Sequence, residues 1–186
     1  GLMRFGWQGK YEGDVLVGLS RPAEAGGGSV TLEPGGQLEL SGAPLINIHQ
    51  TCAEVNKHLG EVRTVAAELG QSYLGIGYTP NWGLEDAPQM PKGRYRLMTD
   101  YMPTRGTRGL EMMYLTATVQ VNLDFGSPAD MVEKLKIALA LQPLATALFA
   151  NSPFKNGEPT GNLSERSLVW LDTDPDRTGM LPMVFE

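Results

Sequence analysis

The chain has 186 residues, a net charge of −6 and a single cysteine, with apolar side chains making up 41% of the sequence. That length suffices for a proper buried core. The acidic balance excludes a general nucleic-acid binder, one cysteine excludes an internal disulfide or cysteine metal cluster, and no apolar run is long enough to span a bilayer.

The lone thiol fits a reducing, cytoplasmic setting. The apolar-aromatic opening Leu2–Trp7 and the abrupt close at Met183–Glu186 read as a piece of a longer polypeptide. Residues 1–186 are taken as one partial domain without internal repeats. Asp14–Ser20 (DVLVGLS) predicts a short strand, and 22–28 (PAEAGGG) a connection lacking the Gly-Lys-Ser/Thr ending of a phosphate-binding loop.

Ser29–Pro44 (SVTLEPGGQLELSGAP) predicts a hairpin turning at Pro34-Gly35-Gly36. Alternation puts Val30, Leu32, Leu38 and Leu40 on one face and Thr31, Glu33, Gln37, Glu39 and Ser41 on the other. On pattern alone, a half-solvated hairpin with its polar residues facing water is the favoured reading. Glu33, Glu39 and the amide oxygen of Gln37 also form the kind of oxygen-only donor set that suits Mg²⁺.

Leu45–Leu69 has helical spacing, with Leu45, Ile48, Cys52, Val55, Leu59, Val62, Ala66 and Leu69 in one stripe and Gly70 as the C-cap. Cys52 is therefore expected to pack in an apolar stripe. His49 and His58 are off metal-ligand spacing and read as structural or solvated. A strand is expected over Ser72–Tyr78, a long functional loop over Thr79–Gly93 and a short helix over Arg94–Tyr101. Glu111–Phe125 reads as a strand whose Thr116, Thr118, Gln120, Asn122 and Asp124 form a wholly polar face. Ser127-Pro128 opens a helix to about Ala150, with a kink or break expected at Gln142-Pro143. Asn151–Glu186 reads as loop-rich, with a short element at Arg166–Leu171 and a plain acidic turn at Asp172–Arg177.

Two polar-faced strands flanked by arginines point to cation-assisted chemistry on anionic substrates, because the guanidinium fork matches carboxylates and phosphates. Each arginine taken singly also reads as a solvated surface residue. No Ser-His-Asp set, histidine-rich metal motif or dinucleotide fingerprint is present.

The hairpin with LEPGGQ, followed in order by HQTCAEVNKHL, MPKGRY, ATVQVNLDF, LALQPLATALFANSPF and TDPDRTGMLP, resembles the plant and proteobacterial type of glutamate–cysteine ligase over nearly the whole chain. The resemblance implies an α+β fold similar to glutamine synthetase, an antiparallel sheet flanked by helices, incomplete in this chain. It also implies ATP-dependent joining of the L-glutamate γ-carboxylate to the L-cysteine amine through γ-glutamyl phosphate, the first step of glutathione synthesis. On the same basis Glu33 and Glu39, with Gln37 weaker, would hold Mg²⁺. Arg94 and Arg166 would grip glutamate, Gln120, Asn122 and Asp124 would face the pocket, and Arg177 would contact phosphate. Homo-oligomerisation is left open.

Leu115-Thr116-Ala117 departs from the Arg-Thr-Cys of plant members. Cys52 matches a plant redox cysteine, but the chain offers it no partner thiol. Two alternatives stand beside this reading: a related carboxylate–amine ligase with another amine acceptor, and a non-catalytic binding module.

Overall fold

A computed structural model describes residues 1–186, the side chain of Ala25 excepted. The architecture is α+β, with a four-stranded antiparallel sheet, a two-stranded hairpin and five α-helices. The chain groups into two compact units, Gly1–Gly75 with Pro88–Arg96 and Ile76–Ala87 with Leu97–Glu186. Among the described residues, no helix is long and apolar enough to cross a membrane.

The first unit is built on a meander of strands β1 (Gln8–Glu12), β2 (Val15–Ser20), β3 (Ser29–Leu32) and β4 (Leu38–Ser41), hydrogen-bonded in sequence order. β2 sits within the predicted Asp14–Ser20 stretch. β1 was not expected, because Gln8-Gly9-Lys10-Tyr11-Glu12 lacks an apolar alternation. It forms as the outer arm of a hairpin that turns at Gly13, whose φ of 58° favours glycine. The β3–β4 hairpin agrees with the sequence: Val30 lies opposite Leu40 and Thr31 opposite Glu39. Val30 is buried with Trp7 and Leu19, and Leu38 and Leu40 pack against them.

Helix α1 (Ile48–Leu69) starts on Asn47, whose side chain accepts from the Gln50 amide, and ends on Gly70 in the left-handed conformation. Its inward face is rotated from the expected stripe: the buried residues are His58, Glu61, Val62 and Ala66. Ile48 and Leu69 are exposed, and so is Cys52, which overturns the packing expected for the thiol. The reason lies in the partners. Glu61 is held by Arg21 at 2.6 Å and by the Trp7 indole N–H at 2.8 Å, while the Arg21 guanidinium lies 4.0 Å above the Trp7 ring. A carboxylate so paired can occupy a core-facing position. Apolar periodicity does not register it.

The second unit gathers around Tyr78, Ala87, Met113, Tyr114, Leu115 and Val169, with Met98, Met102, Leu110 and Met112 packed against them. Helix α2 (Gly93–Tyr101) forms where a helix was predicted and carries the boundary between the units. Two predicted strands are corrected. Ser72–Tyr78 forms no strand; Tyr78 alone makes an isolated bridge, with Thr116. Glu111–Phe125 is split: Gly109–Leu115 is helix α3, and 117–125 carries no strand. Pairing decides this outcome, since a strand needs a neighbour for its backbone. Within the described chain the Ala117 amide donates to the Gly77 carbonyl at 3.2 Å at the start of that segment, no strand forms beyond it, and Val119 stays 91% exposed.

Helix α4 (Pro128–Phe149) has the predicted Ser127 cap and proline first turn. It continues through Pro143, so the expected break is absent. Strands β5 (Phe154–Lys155) and β6 (Glu158–Pro159) make a small hairpin around Asn156-Gly157, and helix α5 (Glu165–Leu171) is capped by Ser164.

Candidate functional site

The predicted site residues divide between the units. Glu33, Gln37, Glu39 and Arg94 belong to the first; Gln120, Asn122, Arg166 and Arg177 belong to the second.

In the first unit the β3–β4 pairing does what the alternation promised. Glu39 stands across from Thr31, and the Thr31 hydroxyl donates to Glu33 at 3.1 Å on the same polar face. Glu39 accepts from Ser41 at 3.2 Å and is exposed. Gln37 turns inward to the bend, where its oxygen accepts the Gly35 amide at 2.9 Å. The segment 88–96 closes over the hairpin tip: the Met90 amide donates to the Pro34 carbonyl at 3.0 Å, and Lys92 donates to the Leu32 carbonyl at 2.8 Å. Tyr95, buried, donates to Glu33 at 3.3 Å, and Arg94 lies 3.8 Å from the same carboxylate. Sequence reading missed Lys92 and Tyr95. The MPKGRY motif contained both, but nothing in it revealed that they reach the hairpin.

Among the described residues, no group of three or more His, Cys, Asp and Glu is placed to hold a metal. Two carboxylates are available, both reachable from solvent and both hydrogen-bonded to hydroxyls. That chemistry fits Mg²⁺, which keeps several waters and uses one or two protein carboxylates alongside phosphate oxygens.

In the second unit Arg166 emerges from the first turn of α5. Its amide donates to Ser152 Oγ at 3.2 Å, and its guanidinium carbon lies 5.6 Å from the Trp170 ring centre. Gly77 allows this approach: a Cβ there would stand 3.2 Å from Ser152 Oγ and 3.6 Å from Arg166 Cδ. Arg166 forms no ion pair among the described residues, and its Nε is buried without a hydrogen-bond partner. Burial pulls its guanidinium below the usual arginine range. It nonetheless stays charged at neutral pH. A half-buried cation without an anion is costly, so this is a place where a ligand carboxylate or phosphate gains most.

Gln120 and Asn122 hydrogen-bond to each other at 3.0 Å on the exposed 117–125 segment, and the Asp124 carbonyl accepts from Lys134. Arg177 is exposed and donates at 2.5 Å both to Asp174 and to the Tyr101 hydroxyl. The Asp172–Arg177 stretch is the plain turn expected of it, with the Asp176 and Arg177 amides bonded to Asp174.

A further cluster was not foreseen. Arg108 bridges Glu111 at 2.6 Å and Glu165 at 2.5 Å, while Lys155 reaches Glu111 at 3.0 Å and the Tyr78 hydroxyl donates to Glu111 at 3.0 Å. Burial pushes the Glu111 carboxyl up, but the bonds from Arg108 and Lys155 outweigh it and hold it below the usual range. Burial, with the Glu111 charge, pushes Tyr78 up and keeps it protonated.

Comparison with known proteins gives these sites a context. The family model described as "Glutamate-cysteine ligase family 2" matches residues 9–186. The chain is 61% identical over 183 residues to "Glutamate--cysteine ligase, chloroplastic" of Arabidopsis thaliana, covering 98% of this chain and 34% of that protein. It is 60% identical over 98% of its length to the protein of the same name from Nicotiana tabacum, again 34% of it, and 57% identical to "Glutamate--cysteine ligase A, chloroplastic" of Oryza sativa subsp. japonica, covering 98% of this chain and 36% of that protein. The chain thus spans about a third of the length of these relatives, in line with a piece of a longer polypeptide. The cytoplasmic setting read from the lone cysteine is corrected here: these relatives are named chloroplastic.

Proposed function

The chain belongs to glutamate–cysteine ligase family 2, and we propose on that premise that it forms part of an enzyme joining L-glutamate to L-cysteine at the expense of ATP, in a plastid. The complete enzyme would carry a glutamine synthetase-like sheet flanked by helices. The observation that carries the reading is Arg166, a half-buried guanidinium without an anionic partner among the described residues. A substrate carboxylate would supply that partner.

On this reading Arg166 and Arg94 bind and orient glutamate, so that its γ-carboxylate faces the terminal phosphate of ATP. Fixing reacting groups at near-attack separation is itself a large source of rate. Glu33 and Glu39, with Gln37 as a weaker third, would hold Mg²⁺, which would supply positive charge to offset the charge that builds during phosphoryl transfer. Arg94, beside Glu33, keeps guanidinium and metal ligands on one hairpin edge. Gln120 and Asn122 would hydrogen-bond the substrate, and Arg177 would contact a phosphate. No enzyme nucleophile is required, because activation produces an acyl phosphate on the substrate.

The test is calorimetric titration of the full-length polypeptide carrying this chain with L-glutamate, with and without Mg-ATP, repeated on Arg166→Ala. Heat of glutamate binding that disappears in the variant supports the reading. Unchanged binding overturns Arg166 as the carboxylate anchor. A related ligase acting on another amine would be exposed by competition between L-cysteine and other amines in the same enzyme.

A further inference from the structure

Arg166 keeps its guanidinium unpaired although a carboxylate, Glu165, directly precedes it in the chain. Glu165 is buried, with 6% of its side chain exposed, and its charge is taken up by Arg108 at 2.5 Å. Arg108 also holds Glu111 at 2.6 Å, and Lys155 shares Glu111 at 3.0 Å. Two carboxylates and two cations close this network with no net charge. Arg166 is left outside it.

Arg108 is delivered to this position by a close backbone approach. Its amide donates to the Asp172 carbonyl at 3.0 Å, and Thr107 bonds the Asp172 carboxylate through both its amide and its hydroxyl. A Cβ on Gly106 would fall 2.3 Å from the Asp172 carbonyl oxygen, so only glycine lets the turn come this near. The turn before α3 is therefore fastened to the end of α5, and Arg108 points back to the start of α5. Arg166 is fixed separately, by Ser152 at its amide and by Trp170 beneath its guanidinium. It does not need Glu165 to hold it.

We propose that Arg108 is a positioning residue for substrate binding: by neutralising Glu165 it keeps the adjacent Arg166 guanidinium free for the carboxylate of the substrate. The proposal rests on Arg166 being the carboxylate anchor. Remove Arg108, and an uncompensated buried carboxylate sits one residue from that anchor. Whether it captures the guanidinium or only opposes an incoming anion through its field, the cost falls on the anionic substrate, because charges interact strongly where water is excluded. Consecutive helix positions do not face one another, so the field is the more general effect and needs no rearrangement.

Steady-state kinetics of the full-length enzyme test this, with Arg108→Met, Arg108→Lys, Glu165→Gln and the double variant R108M/E165Q assayed well below their melting temperatures. Arg108→Met is expected to raise the KM for glutamate about tenfold or more, the worth of one charge-assisted hydrogen bond. The KM for ATP should move less than about twofold. Arg108→Lys should restore most of the loss, and E165Q added to R108M should return the glutamate KM to near its starting value.

A glutamate KM unmoved in folded Arg108→Met, an equal rise for ATP, or no relief by E165Q overturns the proposal and leaves the network as structural support. If Arg108→Met fails to fold, the double variant, which buries no unpaired carboxylate, still decides: its glutamate KM must match the unaltered enzyme, and a raised value overturns the proposal. Arg166→Ala in the same assay separates the two ideas. If Arg166→Ala is silent toward glutamate, the anchor reading fails. If it is selective while Arg108→Met is silent, the present inference fails alone.

Discussion

Arg94 Nη2 stands 3.8 Å from Glu33 Oε2, so a guanidinium and a carboxylate share the turn end of the β3–β4 hairpin, the arginine with 69% of its side chain exposed. So open a pair contributes little to stability. Both groups remain available to ligands of opposite sign.

Arg94→Ala is accordingly expected to leave unfolding within about 0.5 kcal/mol of the unaltered protein, while weakening glutamate binding. Urea denaturation followed by circular dichroism checks the first half and glutamate titration the second. A large loss of stability would make Arg94 a structural clamp on the hairpin.

Glu39 is exposed and accepts a hydrogen bond from Ser41 next to it on β4. Glu39→Ala should therefore fold normally and lose Mg²⁺-dependent turnover by about a hundredfold or more, as the removal of a charge-bearing ligand would. Turnover measured across a Mg²⁺ series decides it; activity unchanged at every concentration removes Glu39 from the metal role.

The polar face of the hairpin was legible because strand alternation and the Pro-Gly-Gly turn are local signals, and Val30 had only the core to go to. α4 was legible for the same reason, through its Ser127-Pro128 start; α2 was expected as a short helix, and α5 only as a short element of no stated type. What failed was non-local. The strand expected over Glu111–Phe125 depends, beyond Ala117, on a neighbour that the described chain does not supply, so its alternating Val119, Val121, Leu123 and Phe125 are left in solvent. The buried stripe of α1 runs through His58 and Glu61, which an apolar count passes over. β5 and β6 did have a signal: Asn156-Gly157 is the short-range mark of a tight hairpin turn. The Arg108 network links residues 57 apart in the sequence and could not have been read from spacing.

Breaking the buried pair between Arg21 and Glu61 should be costly. Both side chains are nearly covered, at 11% and 6% exposed, and Arg21 also stacks on Trp7. Arg21→Met leaves the carboxylate buried with the Trp7 N–H as its remaining donor, and a loss of about 3 kcal/mol or more is expected. The double variant R21M/E61L removes both charges and should recover much of that loss. Urea denaturation midpoints and slopes measure both. Equal stability of Arg21→Met and the unaltered protein would show that Glu61 finds water instead.

His58 supplies the pH dependence. It is buried against the edge of Trp7, with Nδ1 lacking a hydrogen-bond partner, and burial pulls its imidazole below the usual range. Glu61 and Glu54 work against that pull, and Arg21 adds to it. The folded state therefore holds a neutral ring, while the unfolded state takes up a proton once the pH drops below about 6.5. Since the unfolded chain binds more protons there, stability is fully present above that pH and declines as the pH falls from the unfolded value toward the depressed folded one. Melting temperatures across pH 5 to 8 should trace this decline, and His58→Gln should flatten it within the same window. An identical slope in His58→Gln would move the proton uptake to another group.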